Sequence, residues 1–164
     1  MRHVRSVAGL ARGTVAGQTL DPSGPDAANT RLVTLYWVAG DTLRPVPRRI
    51  HTTERIGAAT LEELLRGPQP GEGDGLSTAL PTPQEVLAYA GRDASWGTRV
   101  TLRRLDIVGG VATADFSREL RAYGGGSARS ALIRQQVTRT LEQFPTVHDV
   151  RIAIEGDIAG ALQP

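Results

Sequence analysis

Three histidines, His3, His51 and His148, and a few neighbouring carboxylates have the strongest claim to chemistry in this 164-residue chain. A metal site needs converging ligands, and a helix-spaced pair such as HExxH would supply two of them. No such pair occurs. Ser130, His148 and Asp149 have the residue types of a nucleophile, a base and an orienting acid. Adjacent His and Asp do not readily take up triad geometry, and no G-x-S-x-G turn presents the serine. Glu62 and Glu63 read as a solvated helix face, and Asp106 and Asp115 as strand carboxylates paired with arginine. Gly124 to Ser127 precede a helix, where backbone N–H groups can hold an anion. Neither a Walker lysine nor a GxGxxG accompanies them, so they read as a loop with Ser127 as the helix cap. The chain therefore reads as non-enzymatic, with no catalytic residue, metal or cofactor.

Binding is the remaining chemistry. All 19 basic residues are Arg, and the net charge is only +2 at a pI near 9.6. The arginines are interleaved with acids, which argues against specific nucleic-acid recognition. Arg44, Arg48 and Arg49, with Arg103 and Arg104, form a candidate basic patch on a sheet, suited to an anionic polymer. The competing reading is a set of solvated edge-strand charges that discourage sheet-to-sheet association. Tyr89 and Trp96 are candidate aromatic anchors for a protein partner. There is no Cys, which excludes disulfides, thiolate metal ligands and a cysteine nucleophile. No apolar run approaches the ~18 residues that span a bilayer.

The elements that must position these residues follow from the pattern. Residues 1–30 read as an arm and linker. Their apolar stretch 7–11 is short for an export signal, and Arg12 interrupts it. Residues 32–38 form a strand. Gly40-Asp41 turns the chain into a second strand, 42–50, where Pro45 and Pro47 call for a sheet edge or a bend. A helix over 53–66, capped by Thr52 or Thr53, stops at Gly67-Pro68. A short helix over 83–90 starts on Pro83 and stops at Gly91. Strand 98–108, with a bulge at Arg103-Arg104, turns at Gly109-Gly110 into strand 111–116. A brief turn leads to the longest helix, 128–144, whose apolar stripe is Leu132, Ile133, Val137, Leu141 and Phe144. A last strand, 147–154, ends before Gly156. Residues 31–156 thus make one domain, and 157–164 a tail. The fold class is α+β: a small mixed or antiparallel sheet with two main helices on one face, in the order β-β-α-(α)-β-β-α-β.

Several pieces stand in a fixed order along the chain: the strand Val33-Thr-Leu-Tyr-Trp37, the helix end Leu61-Glu-Glu-Leu-Leu-Arg-Gly-Pro68 and the stretch Gly75-Leu-Ser-Thr-Ala-Leu-Pro81. The hairpin Val108-Gly-Gly-Val-Ala-Thr-Ala-Asp-Phe-Ser117 follows, then Gln136-Val-Thr-Arg-Thr-Leu-Glu-Gln-Phe-Pro145 and Val150-Arg-Ile-Ala-Ile-Glu-Gly156. Together these pieces resemble the GerMN domain family of sporulation and spore-germination proteins. The resemblance implies an envelope-associated interaction or assembly module without catalytic residues, extracytoplasmic, with another protein as partner. An anionic envelope polymer is the alternative partner. The chain departs from the family pattern by an insertion at 82–96 and by lacking a lipid-attachment Cys and a clear export signal. The partner's identity and the oligomeric state are not written in the sequence.

Overall fold

In the computed structural model, residues 29–162 apart from 125 are described. The expected arm, residues 1–28, lies outside them. β1 (Thr30–Ala39) and β2 (Thr42–His51) form an antiparallel hairpin around Gly40. Val33, Leu35 and Trp37 of β1 point inward, as do Val46, Arg48 and Ile50 of β2, so the period of two holds on both strands. α1 (Ile56–Arg66) and α2 (Pro83–Ala90) follow. β3 (Leu102–Val108) and β4 (Val111–Phe116) make a second antiparallel hairpin, and β5 (Asp149–Ile154) pairs parallel to β4. A 3-10 turn (Arg118–Ala122) and α3 (Gly126–Leu141) connect β4 to β5.

The fold is α+β with both strand senses, as expected. Its five strands form two sheets, β1-β2 and β3-β4-β5, rather than one. α1 packs on β1 and β3, and α3 on β1 and β5, so the two helices hold the sheets around one core. Trp37, Leu61, Leu64, Phe116, Ile133, Leu141 and Ile154 lie at its centre. α1 approaches β3 closely. A Cβ on Gly57 of α1 would sit 3.0 Å from Leu105 Cδ2 on β3.

Element ends differ from the sequence reading for local reasons. α1 starts at Ile56 because the Thr53 hydroxyl accepts from Arg55 N at 3.2 Å, closing a turn before the helix begins. α3 starts at Gly126, which puts Ser127 inside the first turn, where its carbonyl accepts from the Ser130 hydroxyl. The expected bulge falls between Leu102 and Arg104. The β3-β4 turn needs glycine at its second position on two counts. Gly110 has φ +84, and a Cβ there would meet His148 Cδ2 at 2.7 Å. Its carbonyl accepts from both His148 N and Asp149 N, which docks the hairpin tip on β5. Residues 157–162 do not leave the fold as a tail. Ala161 and Leu162 are buried in the core, and Arg134 Nη2 donates to both their carbonyls.

Candidate interaction surfaces

The five candidate arginines do not converge. Arg44, Arg48 and Arg49 stand on β2, and Arg103 and Arg104 on β3 of the other sheet. Arg48 is 7% exposed and belongs to the interior, which removes it from any basic patch. Its position shares the inward face with Val46 and Ile50, so the guanidinium had to be buried with partners. It grips Glu72 with Nε and Nη2, both at 2.7 Å, reaches Glu63 with Nη1 at 3.0 Å, and donates from Nη2 to the Gly67 carbonyl at 3.0 Å. Its Cζ lies 5.5 Å from the centre of the Trp37 ring. Burial works against the charge, but the two carboxylates outweigh it and raise the Arg48 pKa. Glu72 is held below the usual carboxylate range, first by Arg48. Glu63 is therefore not a solvated residue of α1: it pairs with Arg48 and with Arg66. This network ties the loop after α1 to β2.

Arg44 and Arg49 are exposed and lie on opposite faces of β2. Arg103 pairs with Asp115 at 3.2 Å and Arg104 with Asp106 at 2.6 Å, which is the arginine pairing anticipated for both carboxylates. His51 and His148 are exposed, and the Ser130 hydroxyl is buried and spent on the helix backbone. Among the described residues no group of three or more His, Cys, Asp or Glu could hold a metal ion.

The aromatic candidates do meet. Tyr89 on α2 and Trp96 in the following loop have ring centres 5.0 Å apart, tilted by 49°. Tyr89 is 58% exposed and Leu87 66% exposed, while Val86 is fully buried beneath them. The 82–96 segment is anchored at both ends. Thr82 and Glu85 form a reciprocal capping box at the start of α2. Arg129 of α3 then takes Glu85 by Nη1 and Nη2 while its Nε donates to the Ala79 carbonyl at 2.9 Å. That pairing holds the Glu85 carboxyl at about 2, below its ordinary 4.5. At the far end the buried Glu119 accepts from Gly97 N at 2.6 Å. Burial opposes its charge, yet the Ser117 hydroxyl and the Gly97 N–H hold its pKa down.

The backbone edges of the two sheets differ. Thr34, Tyr36 and Val38 of β1 direct their free groups away from β2. Gln143 Oε1 accepts from Thr34 N and its Nε2 donates to Thr34 O, both at 2.8 Å, so a side-chain amide stands in for a neighbouring peptide. The fully buried Gln136 donates to Tyr36 O at 2.8 Å and accepts from Ala79 N at 3.0 Å. Val38 exchanges two backbone bonds with Ser77. Sequence reasoning placed Gln136 within a stretch that resembles the family, without naming the edge. Arg129, Glu119 and Gln143 it did not single out. A glutamine within the apolar stripe of α3 is the signal that marks Gln136.

A family model described as "Germane: Sporulation and spore germination" matches residues 34–159. The tandem GerMN domains of the sporulation protein GerM from Bacillus subtilis superpose with a TM-score of 0.59 at 24% identity, covering 82% of this chain and 44% of that one. This chain thus spans less than half of that tandem structure. The first GerMN domain of the same protein gives a TM-score of 0.55 at 25% identity, covering 82% of this chain and 93% of that one. No curated protein matches. With the family model spanning both sheets and all three helices, the chain belongs to the Germane family of sporulation and spore germination.

Proposed function

We propose that the chain is a non-catalytic contact module that binds another protein at the cell envelope through the aromatic surface of its 82–96 segment. The observation that carries this reading is the pairing of exposed Tyr89 with Trp96 on a segment pinned at both ends. Rigid, exposed aromatic area on a pre-organised support is what an interface anchor requires. The other unusual groups have structural employment. Arg48, Glu72, Glu85 and Glu119, whose pKa values are shifted, each hold two parts of the fold together. The hydroxyls that Glu85 and Glu119 touch, those of Thr82 and Ser117, also accept from the backbone amides of Glu85 and Thr101, and this structural use supports a binding role over catalysis. The envelope setting is the one the family resemblance implies.

A photo-crosslinking residue placed at Tyr89, and in parallel at Arg49, tests the reading in the protein's own cells. The expected result is one protein adduct from position 89, absent from position 49, reduced by Trp96→Ala and insensitive to salt. Contradiction would come as no adduct at 89, with retention on an anionic envelope polymer that falls steeply with salt and depends on Arg44 and Arg49.

A further inference from the structure

β3 is the edge strand of its sheet, and its backbone is open. The two-residue turn at Gly109-Gly110 makes Val108 and Val111 a hydrogen-bonded pair. By alternation Asp106 also bonds to β4, while the N–H and C=O groups of Leu105 and Ile107 point outward. Among the described residues no backbone or side-chain group bonds to them. The two strands of the other sheet are met or interrupted at particular positions of their outer edges. The outer edge of β1 is met by Gln143 at Thr34, by Gln136 at the Tyr36 carbonyl and by Ser77 at Val38. On β2 the residues facing away from β1 include Pro45 and Pro47, which have no N–H to offer. Beside the open β3 edge lies a cleft of about 300 Å³ lined by Ile56, Leu105, Ile107 and Phe144. Ile107 is 40% exposed although it lies on the face of the sheet that packs on the core.

We propose that the occupant of this edge is a second copy of the chain, pairing β3 to β3 antiparallel about a two-fold axis at Leu105. Charge selects this copy and this register. With Leu105 opposite its counterpart, Arg104 of each copy faces Asp106 of the other, giving two opposite-charge cross-strand pairs. Shifting the axis to Asp106 would set two carboxylates face to face, which cross-strand pairing disfavours. Arg104 and Asp106 are 72% and 41% exposed, so the ion pair they form within one chain can be extended to the second copy. The same charges repel an unrelated hydrophobic strand, so they guard the edge while admitting its own complement. An isologous contact of this kind is closed, ends at two copies and joins the two β3-β4-β5 sheets into one of six strands. It is separate from the 82–96 surface, so either reading stands or falls without the other.

Sedimentation of the full chain across a concentration series tests it. The unmodified chain is expected to dimerise. Asp106→Arg alone and Arg104→Asp alone each place like charges opposite one another and are expected to weaken the dimer about tenfold. The double variant, Arg104→Asp with Asp106→Arg, restores complementarity and is expected to restore the dimer. Amide exchange at Leu105 and Ile107 is expected to slow as concentration rises, a readout that folding defects do not mimic. A chain that stays monomeric throughout would overturn the proposal. So would single variants that dimerise normally, or a double variant as weak as the singles.

Discussion

Along β1 the backbone groups that turn away from the hairpin are met by Gln143, Gln136 and Ser77, whereas along β3 those of Leu105 and Ile107 meet no partner within the described chain. The strands look alike in sequence, both rich in Leu and branched residues. The difference lies in what packs beside them. α3 lays glutamines against β1, and side-chain amides satisfy peptide groups as well as a strand does. α1 presents Ile56, Gly57 and Ala58 to the region of β3, which fill space but donate no hydrogen bonds. β1 is thereby tied into the scaffold at Thr34, Tyr36 and Val38, while β3 keeps an edge for contact. Substitutions in the first sheet should cost stability, and those in the second should alter association.

The largest effect is expected at Arg48. Arg48→Ala strands Glu63 and Glu72, which are 15% and 13% exposed, and is expected to lower unfolding free energy by about 3–5 kcal/mol in urea titration. Next comes Gln136→Leu, which keeps the volume but orphans Tyr36 O and Ala79 N at the sealed edge. About 2–3 kcal/mol is expected, read from the shift in the urea midpoint. Gln143→Leu, in a half-buried position, is expected to cost less.

Much of this was legible in the sequence because it depends on local pattern. The hairpin turns, the bulge at Arg103-Arg104 and the 83–90 helix with its Pro83 start each rest on residues within a few positions. Arg48 shows where that reasoning stops. The alternation of β2 puts it on the same side as Val46 and Ile50. Its burial depends on Glu63 and Glu72, which lie 15 and 24 residues away, and local pattern does not report such a meeting. The split into two sheets is hidden for the same reason, since α1 and α3 decide it through contacts distant in sequence. Tyr89 and Trp96 were found as types, but their stacking depends on how α2 is pinned by Arg129 and Glu119.

Acid sharpens the contrast between scaffold and contact surface. The Glu85 carboxyl sits at about 2 when folded, against 4.5 ordinarily, so its contribution is full above pH 4.5 and fades as pH falls toward 2. Amide exchange over α2 is expected to quicken across that window, and Glu85→Gln should remove the pH dependence there. The smallest effect belongs to the open edge. Arg104→Ala breaks an exposed ion pair and is expected to change unfolding free energy by less than about 0.5 kcal/mol, within thermal-melt error.

The most direct measurement of the contrast is residue-resolved amide exchange on the full chain at low concentration. The Thr34 and Val38 amides at the sealed edge are expected to exchange slowly, and those of Leu105 and Ile107 at the open edge fast. Equal rates at the two edges, or slow exchange at Leu105 in the dilute chain, would contradict it.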